Sequence, residues 1–101
     1  MRMISRRHLT AEERNDVIYF FQDSVTNEIK IGWAANWLRR IRELQPGNPH
    51  PLIVLGTMKG NHKQEKLLHR QFRHLWVFGE WFEPADDLLS FIASNCEERG
   101  R

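Results

Sequence analysis

Gln45-Pro-Gly-Asn-Pro-His-Pro51 places three prolines and a glycine within seven residues. Proline fixes φ and removes a backbone donor, and it pushes the preceding residue out of the helical region. No helix or central strand can run through such a stretch, so it must be loop, and it divides the patterned part of the chain in two. Upstream, Val17 to Gln22 (VIYFFQ) is too short for a helix and rich in β-branched and aromatic side chains. It reads as a strand buried on both faces. Asp23 to Asn27 supplies turn residues, and Glu28 to Gly32 alternates Ile29 and Ile31 against Lys30 and Gly32. Two strands joined by so short a loop predict an antiparallel hairpin. Ala34 to Leu44 then changes to helical period, with Ala34, Trp37, Leu38, Ile41 and Leu44 on one face.

Downstream of the breaker, Leu52 to Met58 (LIVLGTM) predicts a third strand. Asn61 is a suitable N-cap for a helix over NHKQEKLLHRQFRHL, the region that Gly79 ends. Glu80 to Phe82 reads as a short extended piece, and Pro84 suits the first turn of a last helix reaching about Asn95. The order β-β-α-β-α-α predicts an α+β domain built on a small three-stranded antiparallel sheet flanked by helices. We expect a basic N-terminal segment over 1–16, one domain over 17–96 and a polar tail over 97–101. Thr10-Ala-Glu-Glu13 has the form of a capping box within the first of these.

A chain of 101 residues has room for one core but not for a catalytic domain plus a separate recognition domain. No apolar run approaches a membrane span, and the single cysteine, Cys96, can form no internal disulfide. Both features lead us to expect a cytoplasmic protein. The net charge of +2 is too small to indicate nucleic-acid binding by itself. Its distribution is more informative. Arg2, Arg6, Arg7 and His8 open the chain, Arg39, Arg40 and Arg42 cluster at its middle, and the acids gather towards the end. A basic first half can face phosphates.

On the helix after Asn61, Leu68, Phe72 and Leu75 form the apolar stripe, and Glu65 points the same way. Glutamate is almost never fully buried without a partner. Periodicity leaves two accounts open: Glu65 pairs locally with Lys66, Arg70 or His69, or it faces inward to hold something. A third pattern overlaps both. His62, Glu65 and His69 lie at i, i+3 and i+7, which suits zinc in chemistry but lacks the H-E-x-x-H arrangement.

Ile18-Tyr19 on the first strand, Lys30-Ile31-Gly32 on the second, Arg40 eight positions after Gly32, and Glu65 on a later helix together resemble the GIY-YIG nuclease superfamily. The segments WAANWLRRIRELQPGNP, PLIVLGT and GEWF are most similar to a short phage and bacterial branch with K-I-G in place of Y-I-G. Val17 stands at the first glycine of the motif, Leu44 where many members have His or Tyr, and Gly79 to Trp81 nearest to an expected asparagine. The resemblance implies hydrolysis of DNA phosphodiesters with Mg²⁺ or Mn²⁺. It implies Glu65 as metal ligand, Arg40 on the scissile phosphate and Tyr19 in activating the nucleophile.

These roles are chemically coherent. Mg²⁺ accepts one protein carboxylate plus waters and substrate oxygens, and the planar arginine fork matches phosphate. Tyrosine with a pKa near 10 is a poor base, so Lys30 across the hairpin is expected to lower it. Arg39, Arg42, Trp33 and His69 are the candidate substrate contacts. Trp37 and Trp81 are expected to pack, the latter against the Glu65 helix, and Glu80 is a weak candidate for a second acid. With one metal site, cutting both strands of DNA needs a homodimer or two encounters. The alternative to the endonuclease is a nucleic-acid-binding module on the same fold without efficient turnover.

Overall fold

The computed structural model describes residues 15–97. The N-terminal arginines and the Thr10–Glu13 capping box lie outside them. The elements are β1 (Val17–Asp23), β2 (Ile29–Ala34), α1 (Trp37–Leu44), β3 (Leu52–Lys59), α2 (His62–Gln71), β4 (Trp76–Phe78), β5 (Trp81–Phe82) and α3 (Asp86–Asn95).

The class is α+β, but the sheet is not three-stranded. Five strands pair in the order β3-β1-β2-β5-β4, all antiparallel. Strand β4 comes from the region expected to continue the helix after Asn61, and β5 from the short extended piece expected over Glu80–Phe82, which the structure pairs into the sheet. Helix α2 stops at Gln71, and a 3-10 turn over Arg73–Leu75 follows. Trp76 then turns extended, at ψ 132°. Gly79 adopts φ +54°, a left-handed conformation that glycine takes without strain. That turn folds Trp81-Phe82 back between β2 and β4, pairing Ile29 with Phe82 and Lys30 with Trp81. Strands of three and two residues are too short to display a period of two.

One face of the sheet carries Ile18, Phe20, Ile29, Ile31 and Phe82 against Leu68, Phe72 and Leu75 of the α2 region and Leu88 and Ile92 of α3. This is the hydrophobic core, and each such side chain contributes roughly 1.5–3 kcal/mol when fully buried. Helix α2 begins as its sequence requires. Asn61 accepts from Gln64 N at 3.0 Å, and the Gln64 side chain accepts from Asn61 N at 2.9 Å. This reciprocal cap satisfies two orphan donors.

The other face carries Tyr19 and Phe21, stacked with ring centroids 4.1 Å apart, and is covered by α1 and the proline-rich loop. The expected apolar stripe of α1 is only partly realised. Ala34 belongs to β2, Leu38 is exposed, and no residue of the helix is fully buried. Polar ends hold α1 instead. Asn36 caps Arg39 N at 3.0 Å, and beyond the C-terminus Gln45 accepts from Leu52 N at 2.8 Å. Asn48 Nδ2 and His50 Nδ1 donate to buried Asp23 Oδ2 at 3.0 and 2.9 Å, while Asp23 Oδ1 accepts from Val25 N and Thr26 N. Burial alone would raise the Asp23 carboxyl; the hydrogen bonds from Thr26, Asn48, His50 and Val25 outweigh it and hold the group well below the usual carboxylate range. One carboxylate thus ties the first hairpin to the loop that ends α1.

Candidate active site

Tyr19 and Gly32 are cross-strand partners in the β1–β2 ladder. A Cβ built on Gly32 would lie 2.2 Å from Tyr19 Cζ and Oη, so the phenol ring rests flat across the glycine backbone. Any side chain there would displace the ring. The Arg40 guanidinium, which α1 carries over this face, lies close enough to the Tyr19 hydroxyl to favour its ionised form. Arg40 is half-exposed and also reaches Glu43 Oε1 at 3.4 Å. The motif glycine lies under the tyrosine ring, and the arginine lies at its hydroxyl.

Lys30 shares the face of Tyr19 but not its charge environment. Its ammonium pairs with Glu80 Oε1 at 3.1 Å and lies 5.6 Å from the Trp81 ring centroid. Burial is the largest influence on Tyr19 and raises its pKa; Arg40, not Lys30, is the cation that opposes the rise. The expectation that Lys30 lowers the tyrosine is corrected accordingly. The reason is the β2–β5 pairing, which sets Glu80 beside Lys30 and draws the ammonium to the carboxylate.

Glu65 approaches from α2. It is 5% exposed. Strand β5 pairs with β2 at Ile29 and Lys30, and Ile31 N donates to Glu80 O at 3.0 Å; beyond that bond the edge of β2 faces α2. His69 Nε2 lies 2.8 Å from Ile31 O and donates to it, closing that edge carbonyl. Both oxygens of Glu65 have an imidazole at 3.5 Å, His62 Nε2 on Oε1 and His69 Nε2 on Oε2, which is too long for a good hydrogen bond. Burial pushes the Glu65 carboxyl up, Glu80 adds to the rise, and His69, His62 and Lys30 pull against it. Glu65 and Glu80 both act on Tyr19 as well. Arg40, Glu65 and Glu80 thus act on Tyr19, while Glu80 and Lys30 act on Glu65.

Of the local partners considered for Glu65, His69 stands beside it as expected, but at a distance that holds the carboxylate only loosely. Its ion-pair neighbours among the described residues are the two histidines, not Lys66 or Arg70. Nor do the histidines make a zinc site with Glu65: the His69 Nε2 that faces the carboxylate donates to Ile31 O, which leaves the ring's lone pair on Nδ1, turned away from Glu65. Among the described residues no group of three His, Cys, Asp or Glu side chains is arranged to hold a metal. A buried carboxylate with loosely held oxygens and a second acid nearby suits a hard cation that keeps most of its waters.

The remaining candidates divide. Arg39 is exposed and pairs with Glu43 at 3.1 Å, and Arg42 is exposed in the last turn of α1. Both stand beside Arg40 on the outer side of the helix. Trp33 lies near His62, ring centroids 5.2 Å apart, and its indole Nε1 is buried with no hydrogen-bond partner among the described residues. His69 positions the β2 edge and Glu65 rather than reaching outward through Nε2. Trp81 packs towards Lys30, Leu44 and Leu52 on the α1 side; the residue of GEWF that meets α2 is Phe82, whose ring lies 5.0 Å from His69. Glu80 is the candidate the sequence undervalued, placed by the structure 3.1 Å from Lys30. Only its place in a two-residue hairpin brings it to Lys30. A cavity of about 580 Å³ between Asp16, Trp37, Thr57 and Glu97 contains none of these residues.

The model of one protein family, the T5orf172 domain, matches residues 16–96, which span every element and every site residue described above. The chain belongs to the T5orf172 domain family. That family is tied to nuclease-like, GIY-YIG-related proteins of phage, so a nuclease-like or DNA-binding role suits this T5orf172 domain. Compared with curated proteins and with solved structures, the chain has no match. No helix of the described residues is long and apolar enough to cross a membrane.

Proposed function

We propose that this T5orf172 domain is a divalent-metal-dependent endonuclease that hydrolyses DNA phosphodiester bonds. The observation that carries the reading is Glu65: a buried carboxylate, raised by its surroundings, held open at the edge where Tyr19, Arg40 and Lys30 meet. Mg²⁺ or Mn²⁺ bound by Glu65, with Glu80 in reach, would supply positive charge against the phosphate and acidify water. The chain's own residues supply the rest. Arg40 presents a planar fork to the non-bridging oxygens of the scissile phosphate. Tyr19 Oη, beside Arg40 and resting on Gly32, orients the attacking water. With its pKa raised, it serves as a hydrogen-bonding phenol rather than as a phenolate. Lys30 neutralises Glu80 and draws Glu65 towards its ionised form. Arg39 and Arg42 extend the cationic surface along the backbone of DNA. One such site per chain cuts a duplex by nicking each strand in turn or as a homodimer.

The test is plasmid cleavage with Mg²⁺ or Mn²⁺. Nicked or linear product is expected from the wild type, and none from Glu65→Ala or in the presence of chelator. DNA binding without cleavage in any metal would overturn the enzyme and leave a binding module on this fold.

A further inference from the structure

Beside the candidate site runs a second concavity, about 410 Å³, lined by His69, Arg70, Arg73, Trp76 and Phe82. It shares His69 with the site, whose Nε2 stands 3.5 Å from Glu65 Oε2, so the two adjoin at that residue. No acidic residue lines it. Arg70 and Arg73 are exposed and form no ion pair among the described residues. Trp76 is 55% exposed on β4, at the end of the sheet. An exposed indole is normally free to rotate, but this one is tethered, its Nε1 donating to Gly79 O at 2.9 Å. The tether satisfies the polar atom and leaves the ring face as a fixed apolar plate flanked by two cations.

A fixed aromatic plate beside unpaired arginines, without acids, is complementary to an unpaired nucleic-acid strand, whose bases stack and whose phosphates seek cations. It is poorly matched to an intact duplex, whose base faces are hidden. We propose that this groove binds a single-stranded segment continuous with the strand at Glu65, with a base on Trp76 and phosphates on Arg70 and Arg73. The proposal rests on the nuclease reading and narrows its substrate to DNA with an unpaired flank.

The test compares a blunt duplex of about 20 base pairs with the same duplex carrying an oligothymidylate tail of about 12 nucleotides, bound to the full chain in EDTA. Wild type is expected to bind the tailed form about tenfold more tightly. Trp76→Ala should abolish most of that preference, and Trp76→Phe, which keeps a stacking face, should retain it. The double variant Arg70→Ala/Arg73→Ala, changed only at exposed side chains, should lower the salt slope for tailed DNA by about 1.4. Should Trp76→Ala melt early, the arginine variant decides. Equal affinity for the two DNAs, or an unchanged preference in the variants, overturns the proposal. If Trp76→Ala instead dissociates a dimer while the tail preference persists, the face belongs to a second copy. Plasmid cleavage without tail preference defeats this inference alone; no binding to either DNA defeats the nuclease reading with it.

Discussion

Replacing Gly32 with alanine sets a methyl carbon 2.2 Å from Tyr19 Cζ and Oη and 2.6 Å from Cε1. Carbon atoms in contact sit about 3.5–4.0 Å apart, so the ring must move by more than an ångström. It has little room to do so, being stacked on Phe21 and almost wholly buried. Overpacking of this kind costs roughly 1–3 kcal/mol. In a domain of this size that lowers Tm by roughly 5–20 °C. Displacing the hydroxyl also breaks its alignment with Arg40, which should reduce cleavage by about 100-fold. Thermal melts should include Gly47→Ala, where an added Cβ meets nothing within 4 Å, as the neutral control. The decisive measurement is a double-mutant cycle with Tyr19→Leu, because leucine lacks the three atoms that clash. In that background Gly32→Ala should cost little, giving a coupling of about 1–3 kcal/mol. Equal cost in both backgrounds, or a Gly32→Ala variant that melts with the wild type, would refute the account of why the motif ends in glycine.

Other perturbations separate charge from packing. Glu65 has its pKa raised in the fold, so its protonated form is stabilising below the unfolded value and that stability is lost as pH rises through the folded value. Glu65→Gln should therefore melt at or above the wild type at pH 8, with the gain vanishing under acid, while cleavage disappears; equal destabilisation at both pH values would contradict this. Lys30→Met should move the acid limb of the pH–rate profile to higher pH, since Lys30 lowers Glu65, and move the alkaline limb less, since burial and Arg40 are the larger influences on Tyr19; kinetics that move only the alkaline limb would reverse the assignment. Arg40→Lys should keep the fold by circular dichroism yet lose cleavage, because a point charge replaces a planar fork on a helix with no fully buried residue. Asp23→Ala should cost roughly 1–3 kcal/mol by leaving partly buried donors unmatched. Because the Asp23 pKa is depressed, the wild-type advantage should be present above the ordinary carboxylate range and fade as pH falls below it, as urea titrations at several pH values would reveal.

Much of this protein is written locally. The aromatic and β-branched run of β1, the alternation in β2, the prolines between Gln45 and Pro51 and the cap at Asn61 each act over a few residues, and the chain obeys all of them. Glu65 announced itself because a carboxylate on an apolar stripe conflicts with burial, and the structure keeps it buried. What sequence could not supply was partnership across distance. Strands β4 and β5 have no period of their own and exist because the turn at Gly79 brings them to the open side of β2. That pairing gives Lys30 to Glu80 rather than to Tyr19. It also leaves Arg40 as the cation that meets the tyrosine hydroxyl, and aims Phe82 rather than Trp81 at α2. Residue type and spacing therefore determined which groups are candidates for the site. The register of one short hairpin decided which of them touch, because a hydrogen-bonded pairing fixes neighbours that no local preference encodes.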